Sequence, residues 1–122
     1  MIQNESAVIV ADNTWATRAK VIRIIKGSRP RFATVGDVVV VAIKSASPTG
    51  QIEKGSVQRW VVVRTRKEIG RKDGTYIRFH DNAIALINED QEPKGKRIFG
   101  PVARELREKW FRTVANLAEE II

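Results

Sequence analysis

Cysteine is absent from this 122-residue chain. That absence excludes disulfides, thiolate metal sites, iron–sulfur clusters and cysteine nucleophiles together. Histidine occurs once, as His80, followed directly by Asp81. Neighbouring residues of a strand point to opposite faces, so the two are badly placed to act as a base and its orienting carboxylate, and His80 reads as a surface residue. Phosphate-cradling glycine loops of the P-loop and G-x-G-x-x-G kinds are missing, as is the G-x-S-x-G nucleophile elbow. Metal hydrolases need clustered histidines or carboxylates, whereas the acids here are scattered or sit in a polar stretch from Glu89 to Glu92, so no metal and no cofactor is expected. A nuclease built on Asp12, Asp37 and Glu53 has no specific support. The longest wholly apolar run, Val38 to Ile43, is far below the ~20 residues of a membrane span. Met1-Ile2-Gln3-Asn4-Glu5 has neither the basic start and apolar stretch of a signal peptide nor the bias of a transit peptide. The expectation is a non-enzymatic protein with no membrane partner, made where it works.

Positive charge is what the chain has in excess. Its 22 Lys and Arg against 14 Asp and Glu give a formal net charge of +8, while 43% hydrophobic residues mark a folding domain and not a disordered basic tail. The cations are unevenly spread. Arg18, Lys20, Arg23, Lys26, Arg29 and Arg31 occupy a stretch without a single acid. Between Lys54 and Arg78 eight bases (Lys54, Arg59, Arg64, Arg66, Lys67, Arg71, Lys72, Arg78) face only Glu68 and Asp73, and between Lys94 and Arg112 seven face Glu105 and Glu108. Asp81 to Glu92 reverses the sign. Any single charge run is usually a solvated face, but this concentration points to polyanions, with strong and salt-sensitive RNA or DNA binding as the consequence. Of the aromatic side chains, Trp60, Phe79 and Phe99 sit inside apolar strand patterns and read as core; Trp15, in a turn, is the best candidate for an exposed stacking platform.

Apolar patterning divides the chain into short strands and a different C-terminal part, all within a single domain of residues 1–122. Ala7–Val10, Arg18–Lys26, Val35–Lys44, Val57–Arg66, Tyr76–Phe79 and Ala83–Ile87 read as strands. The nearly continuous Val and Ile of Val35–Lys44 predict the most buried of them, with Gly36-Asp37 as a turn or bulge at its start. Asp73-Gly74 is a hairpin signal. About five short strands without a helix long enough for crossovers argue for a mainly β fold, a small closed antiparallel barrel over residues 1–99. After the brief strand Arg97-Ile98-Phe99, Gly100-Pro101 is expected to lead into helix, and Trp110, Val114, Leu117, Ala118 and Ile121 fall on one side of a second helix, giving a helical part over residues 100–122.

Specific residues then carry a resemblance. Arg97-Ile98-Phe99-Gly100-Pro101-Val102-Ala103-Arg104-Glu105-Leu106-Arg107 closely resembles the C-terminal signature of the universal ribosomal large-subunit protein fourteen family. So do Met1-Ile2-Gln3 with Val10-Ala11-Asp12-Asn13, and Val61-Val62-Val63 followed by Asp73-Gly74, Phe79 and Asn82. Trp15 stands where that family usually has Gly, and Trp60 where a small residue usually precedes the aliphatic triplet. The resemblance implies a five-stranded β-barrel with a protruding hairpin and short C-terminal helices. It implies a structural constituent of the large ribosomal subunit that binds large-subunit rRNA, touches neighbouring large-subunit ribosomal proteins and meets small-subunit rRNA at an inter-subunit bridge. Carried over by matching positions, the rRNA-binding residues are Asn13, Arg18, Lys44, Lys54, Arg64, Lys67, Arg71, Arg78, Asn82, Arg97, Arg104 and Arg107, contacting phosphate and sugar. Lys96, Arg97 and Arg112 would face a ribosome-silencing factor. The ribosome in question is bacterial and cytoplasmic, or that of a mitochondrion or plastid. The alternative is a free-standing small-barrel RNA-binding module, a chaperone or regulator.

Overall fold

The computed structural model describes residues 2–3, 6–12, 16–25, 32–46, 55, 57–88, 92–109 and 111–122. In chain order the elements are β1 (Ala7–Val10), β2 (Ala16–Ile25), β3 (Val38–Ala46), β4 (Val57–Arg64), β5 (Ile69–Gly70), β6 (Tyr76–Ile77), β7 (Ala83–Leu86), β8 (Ile98–Val102), α1 (Glu105–Glu108), α2 (Arg112–Ala115) and β9 (Ala118–Ile121). Strands β1, β2, β3, β4 and β7 close into the expected five-stranded barrel. Four of its seams are antiparallel; the fifth, which closes it, pairs β1 with β7 in parallel, Ile9 beside Ala83 and Val10 beside Ile84.

Two apolar cores result from one sheet. Alternate residues of every barrel strand point inward, and Val8, Val21, Ile24, Val39, Val41, Ile43, Trp60, Val62, Ile84 and Leu86 fill the lumen. The outer face of β4 and β7 is covered as well: Val61, Val63, Ala83 and Ala85 pack under Ile98, Val102, Leu106, Phe111 and Val114. The C-terminal half of β4, from Trp60, and all of β7 are therefore buried on both sides, which is why Trp60–Val63 and Ala83–Leu86 read as continuous apolar stretches, while Val57, Gln58 and Arg59 at the start of β4 stay at least partly open. The most buried strand is accordingly not β3. Along β3 full burial alternates with partial exposure: on its outer face Val38 still packs against the second core, but beyond it no second layer among the described residues covers the strand, and Val40 stays half-open.

The C-terminal part differs most from the sequence expectation. Gly100 and Pro101 lie inside β8, not in a helix, and β8 runs through the boundary placed at residues 99 and 100. Gly100 has φ +81°, a left-handed conformation that kinks the strand at a register shift between Ile98 and Pro101. Helix α1 starts only at Glu105, and α2 ends at Ala115, so Ala118 and Ile121 belong to β9, paired in parallel with β8. The stretch 103–117 is the crossover such a parallel pair requires. A helical apolar period and a crossover's buried contacts give the same pattern over so short a segment. Trp110 lies outside the described residues. Phe99 is 47% exposed and not core, since it is the strand neighbour of the buried Ile98 and faces the opposite side of β8.

The hairpin β5–β6 turns at residues 72–74 as Asp73-Gly74 predicts, Asp73 Oδ1 accepting from the Thr75 N–H at 3.1 Å and the Thr75 hydroxyl at 2.6 Å. Two of the carboxylates weighed for a nuclease are structural. Asp12 is buried and its Oδ2 accepts from the Leu86 N–H at 2.7 Å. Asp37 Oδ2 accepts from the Thr34 N–H at 2.8 Å, and its Oδ1 lies 3.6 Å from Lys109 Nζ. Glu53 lies outside the described residues.

Candidate nucleic-acid interface

The cations expected to meet phosphate separate into two groups once their partners are known. Arg64 and Arg71 are structural. A bulge after Val62 in the β4–β7 seam precedes Arg64, whose side chain is 10% exposed. Its Nε and Nη2 donate to the two oxygens of Asp81 at 2.6 and 3.3 Å, and Nη1 donates to the Phe99 and Pro101 carbonyls at 2.9 and 3.2 Å. The guanidinium rests on Gly100, where an added Cβ would come within 2.8 Å of Nη1. Arg64 thus bolts the kinked β8 to the barrel, with four of its five N–H donors committed to the protein. Arg71 spans from the hairpin to the C-terminal layer, giving Nε to Glu105 Oε1 at 2.7 Å and Nη2 to Glu105 Oε2 at 3.2 Å and to the Ile122 O at 2.6 Å. Burial alone would push the Glu105 carboxyl up, but the Arg71 hydrogen bonds, a backbone donor and the charges of Arg71 and Arg104 outweigh it and hold it below the usual carboxylate range. The Arg71 guanidinium is correspondingly pushed up, chiefly by its bond to Glu105.

Other expected residues are exposed. Arg18 on β2 is registered against Ile9 of β1, and the Ile9 N–H donates to the Asn82 carbonyl, so Arg18 and Asn82 stand on the same end of the barrel. Asn82 is partly structural, its Oδ1 accepting from the Arg66 N–H at 2.9 Å. Arg66 and Arg78 approach each other there. They line a cleft of about 300 Å³ with Phe79 and His80. A second cleft of about 310 Å³ joins it through Arg66 and His80 and is lined by Ile9, Arg18 and Asn82. Of the acids near it, Asp81 is already matched to Arg64, and Glu68, which feels the charge of Arg78, is paired with Lys67. The result is a furrow flanked by Arg18, Arg66 and Arg78, all exposed and none in an ion pair among the described residues.

The remaining expected contacts are distributed elsewhere. Lys44 is exposed on the outer wall of β3. Lys67 pairs with Glu68 at 3.2 Å, Arg97 with Glu119 at 3.0 Å, and Arg107 donates to Asn116 Oδ1 at 3.3 Å. All these are open to solvent, where such pairs contribute little and yield readily to phosphate. The Glu68 carboxyl is held low by backbone donation and by Lys67. Arg97 also lies over the Phe99 ring, 5.3 Å from its centroid. Arg104, Arg112 and Lys96 are exposed. Asn13, Lys54 and Trp15 lie outside the described residues.

Sequence reasoning left out Arg66 and His80 as members of the site, and also the pair Arg23 and Arg59, which flank Val40 across β2–β3–β4. Two strand spacings set Arg23 and Arg59 about 10 Å apart on the outer wall. Strand periodicity could have placed each on an outward face; only the register between strands brings them together.

A closed small barrel with a second apolar layer on one wall and arginines gathered at one end defines a compact β protein with a cationic face. The family model described as ribosomal protein L14p/L23e matches residues 1–122, and the chain belongs to that family. It is a structural protein of the large ribosomal subunit, from a family of ribosomal constituents and not of enzymes. No helix among the described residues is long and apolar enough to cross a membrane.

Proposed function

We propose that the chain is held on large-subunit rRNA chiefly through the furrow between Arg18, Arg66 and Arg78, by phosphate and sugar contacts that fix position without reading base sequence. The observation that carries this reading is the convergence of three arginines from separate stretches of the chain, none in an ion pair among the described residues, beside an acid that Arg64 has already neutralised. Guanidinium groups in such a setting can each take two phosphate oxygens with little competition from the protein. Lys44, Lys67, Arg104 and Arg107 add cations around the same body. Lys96, Arg97 and Arg112, each exposed, are assigned to a ribosome-silencing factor; the chain also touches neighbouring large-subunit proteins and small-subunit rRNA at an inter-subunit bridge, in a bacterial or organellar ribosome.

The test is filter binding of a large-subunit rRNA fragment across a salt series, comparing the wild-type chain with the triple variant Arg18→Gln, Arg66→Gln and Arg78→Gln. Every phosphate left without its arginine is expected to flatten the dependence of log K on log salt by about 0.7–0.9, so the triple variant should show a slope shallower by about 2 to 3. Its melting temperature should match wild type. An unchanged slope and affinity in a folded triple variant would overturn the assignment.

A further inference from the structure

The β5–β6 hairpin carries an aromatic ring that neither core uses. Tyr76, the only tyrosine in the sequence, is 73% exposed. It stands opposite Gly70 in the hairpin register, and the ring leans over that glycine: an added Cβ at Gly70 would lie 3.3 Å from Tyr76 Cε1. The backbone under the ring is tied down. The Arg71 N–H donates to the Thr75 O at 2.9 Å, Asp73 closes the turn through Thr75, and the Arg71 guanidinium is fixed to Glu105 and the Ile122 O. On the reverse face Ile69 packs against the second core beside Ile77. Tyr76 is therefore an outward ring on a braced support.

What surrounds it decides the kind of partner. Strand periodicity places Arg78 on the same face, about 7 Å further along, and Arg78 leads into the furrow beside Arg66. The other neighbours are polar or charged: Lys72 and Thr75 are exposed, Asp73 is exposed but occupied by Thr75, and the cleft beside Gly70 sets Arg71 and Arg104 against Glu105 and Glu108, with Glu105 held by Arg71. An apolar protein knob would find no apolar rim here. A flat π-system attached to negative charge would find both a ring and a cation at the spacing of a base and its phosphate.

We propose that Tyr76, leaning over Gly70, is a stacking platform for one unpaired nucleobase of an RNA strand whose adjoining phosphates run along Arg78 and Arg66. This rests on the reading of the chain as an rRNA binder. Every base has a π-face, so the platform selects unpaired over paired RNA and not one base over another.

The full-length protein is tested by fluorescence anisotropy against a single-stranded 12-nucleotide RNA and a blunt 12-base-pair RNA duplex, as wild type, Tyr76→Ala and Tyr76→Phe. Tyr76→Ala is expected to lose about 5- to 100-fold in affinity for the single strand. It should bind the duplex as wild type does and keep the wild-type salt slope, since no charge is removed. Tyr76→Phe should retain single-strand binding. Incorporated 3-fluorotyrosine labels position 76 alone, and its single ¹⁹F resonance should shift with the single strand and not with the duplex. Equal single-strand affinity in wild type and Tyr76→Ala, with duplex binding intact, overturns the platform and leaves the rRNA reading standing. Failure of the wild type to bind either RNA overturns both. Unchanged oligonucleotide affinity with loss of Tyr76→Ala from large subunits on gradients assigns the ring to a protein neighbour and also overturns the proposal.

Discussion

Replacing Arg64 with methionine separates a structural arginine from a binding one. The methionine keeps the aliphatic stem and removes the guanidinium, leaving the Phe99 and Pro101 carbonyls and the Asp81 carboxylate without their donor. Removing one partner of a buried pair costs about 3–5 kcal/mol. Because the Asp81 side chain is 35% exposed and regains some water, the lower end applies, about 3 kcal/mol. For 122 residues the unfolding entropy is about 0.26 kcal/mol per kelvin, so the melting temperature should fall by about 12 °C. Thermal unfolding followed by circular dichroism measures this directly, with Arg78→Met as the control. Arg78→Met should melt within about 2 °C of wild type, as surface substitutions do, and bind RNA more weakly. Arg64→Met should bind RNA normally at temperatures where it remains folded. A fall of less than about 3 °C for Arg64→Met, with RNA binding impaired as much as by Arg78→Met, would refute the latch and return Arg64 to the rRNA-contacting set.

Two further outcomes follow from the cores and the hairpin brace. Trp60 is fully buried in the barrel, and its Nε1 has no hydrogen-bond partner among the described residues. Trp60→Phe removes that unmet donor and should cost less than about 1.5 kcal/mol in urea unfolding, whereas Trp60→Ala should cost about 3–5 kcal/mol by opening a cavity; equal losses would show that the indole N–H contributes stability. Glu105 has its carboxyl depressed by Arg71, so the folded state binds its proton less readily than the unfolded state. Its contribution is complete above the ordinary carboxylate range and is lost as pH falls through the lowered value. The melting-temperature gap between wild type and Glu105→Gln should be full at pH 7 and shrink below about pH 4; a gap that stays constant over that range would dissociate the ion pair from stability.

Much of this was legible along the chain. Absent cysteine excluded thiol and disulfide chemistry, and the uneven spread of cations was plain in the order of residues. Alternating and continuous apolar stretches marked the barrel strands, because side chains in a strand face opposite ways every residue. Asp73-Gly74 marked its hairpin, since local turn chemistry needs no distant partner. Which layer covers which strand was not legible. The valines of β3 and those of β4 look alike in sequence, and only the docking of β8, α1, α2 and β9 on β4 and β7 buried the second set on both faces. The same docking turned the segment expected to be helical through Ile121 into a crossover ending in a strand. Charge has the same limit. Arg64, Arg66, Arg71 and Arg78 are equivalent in a basic stretch, yet Arg64 and Arg71 are committed to Asp81 and Glu105 while Arg66 and Arg78 meet Arg18 in open solvent. A side chain's chemistry is set by its type, but whether that chemistry is turned inward or left for a partner depends on residues 17 to 51 positions away that only the tertiary fold brings within hydrogen-bond reach.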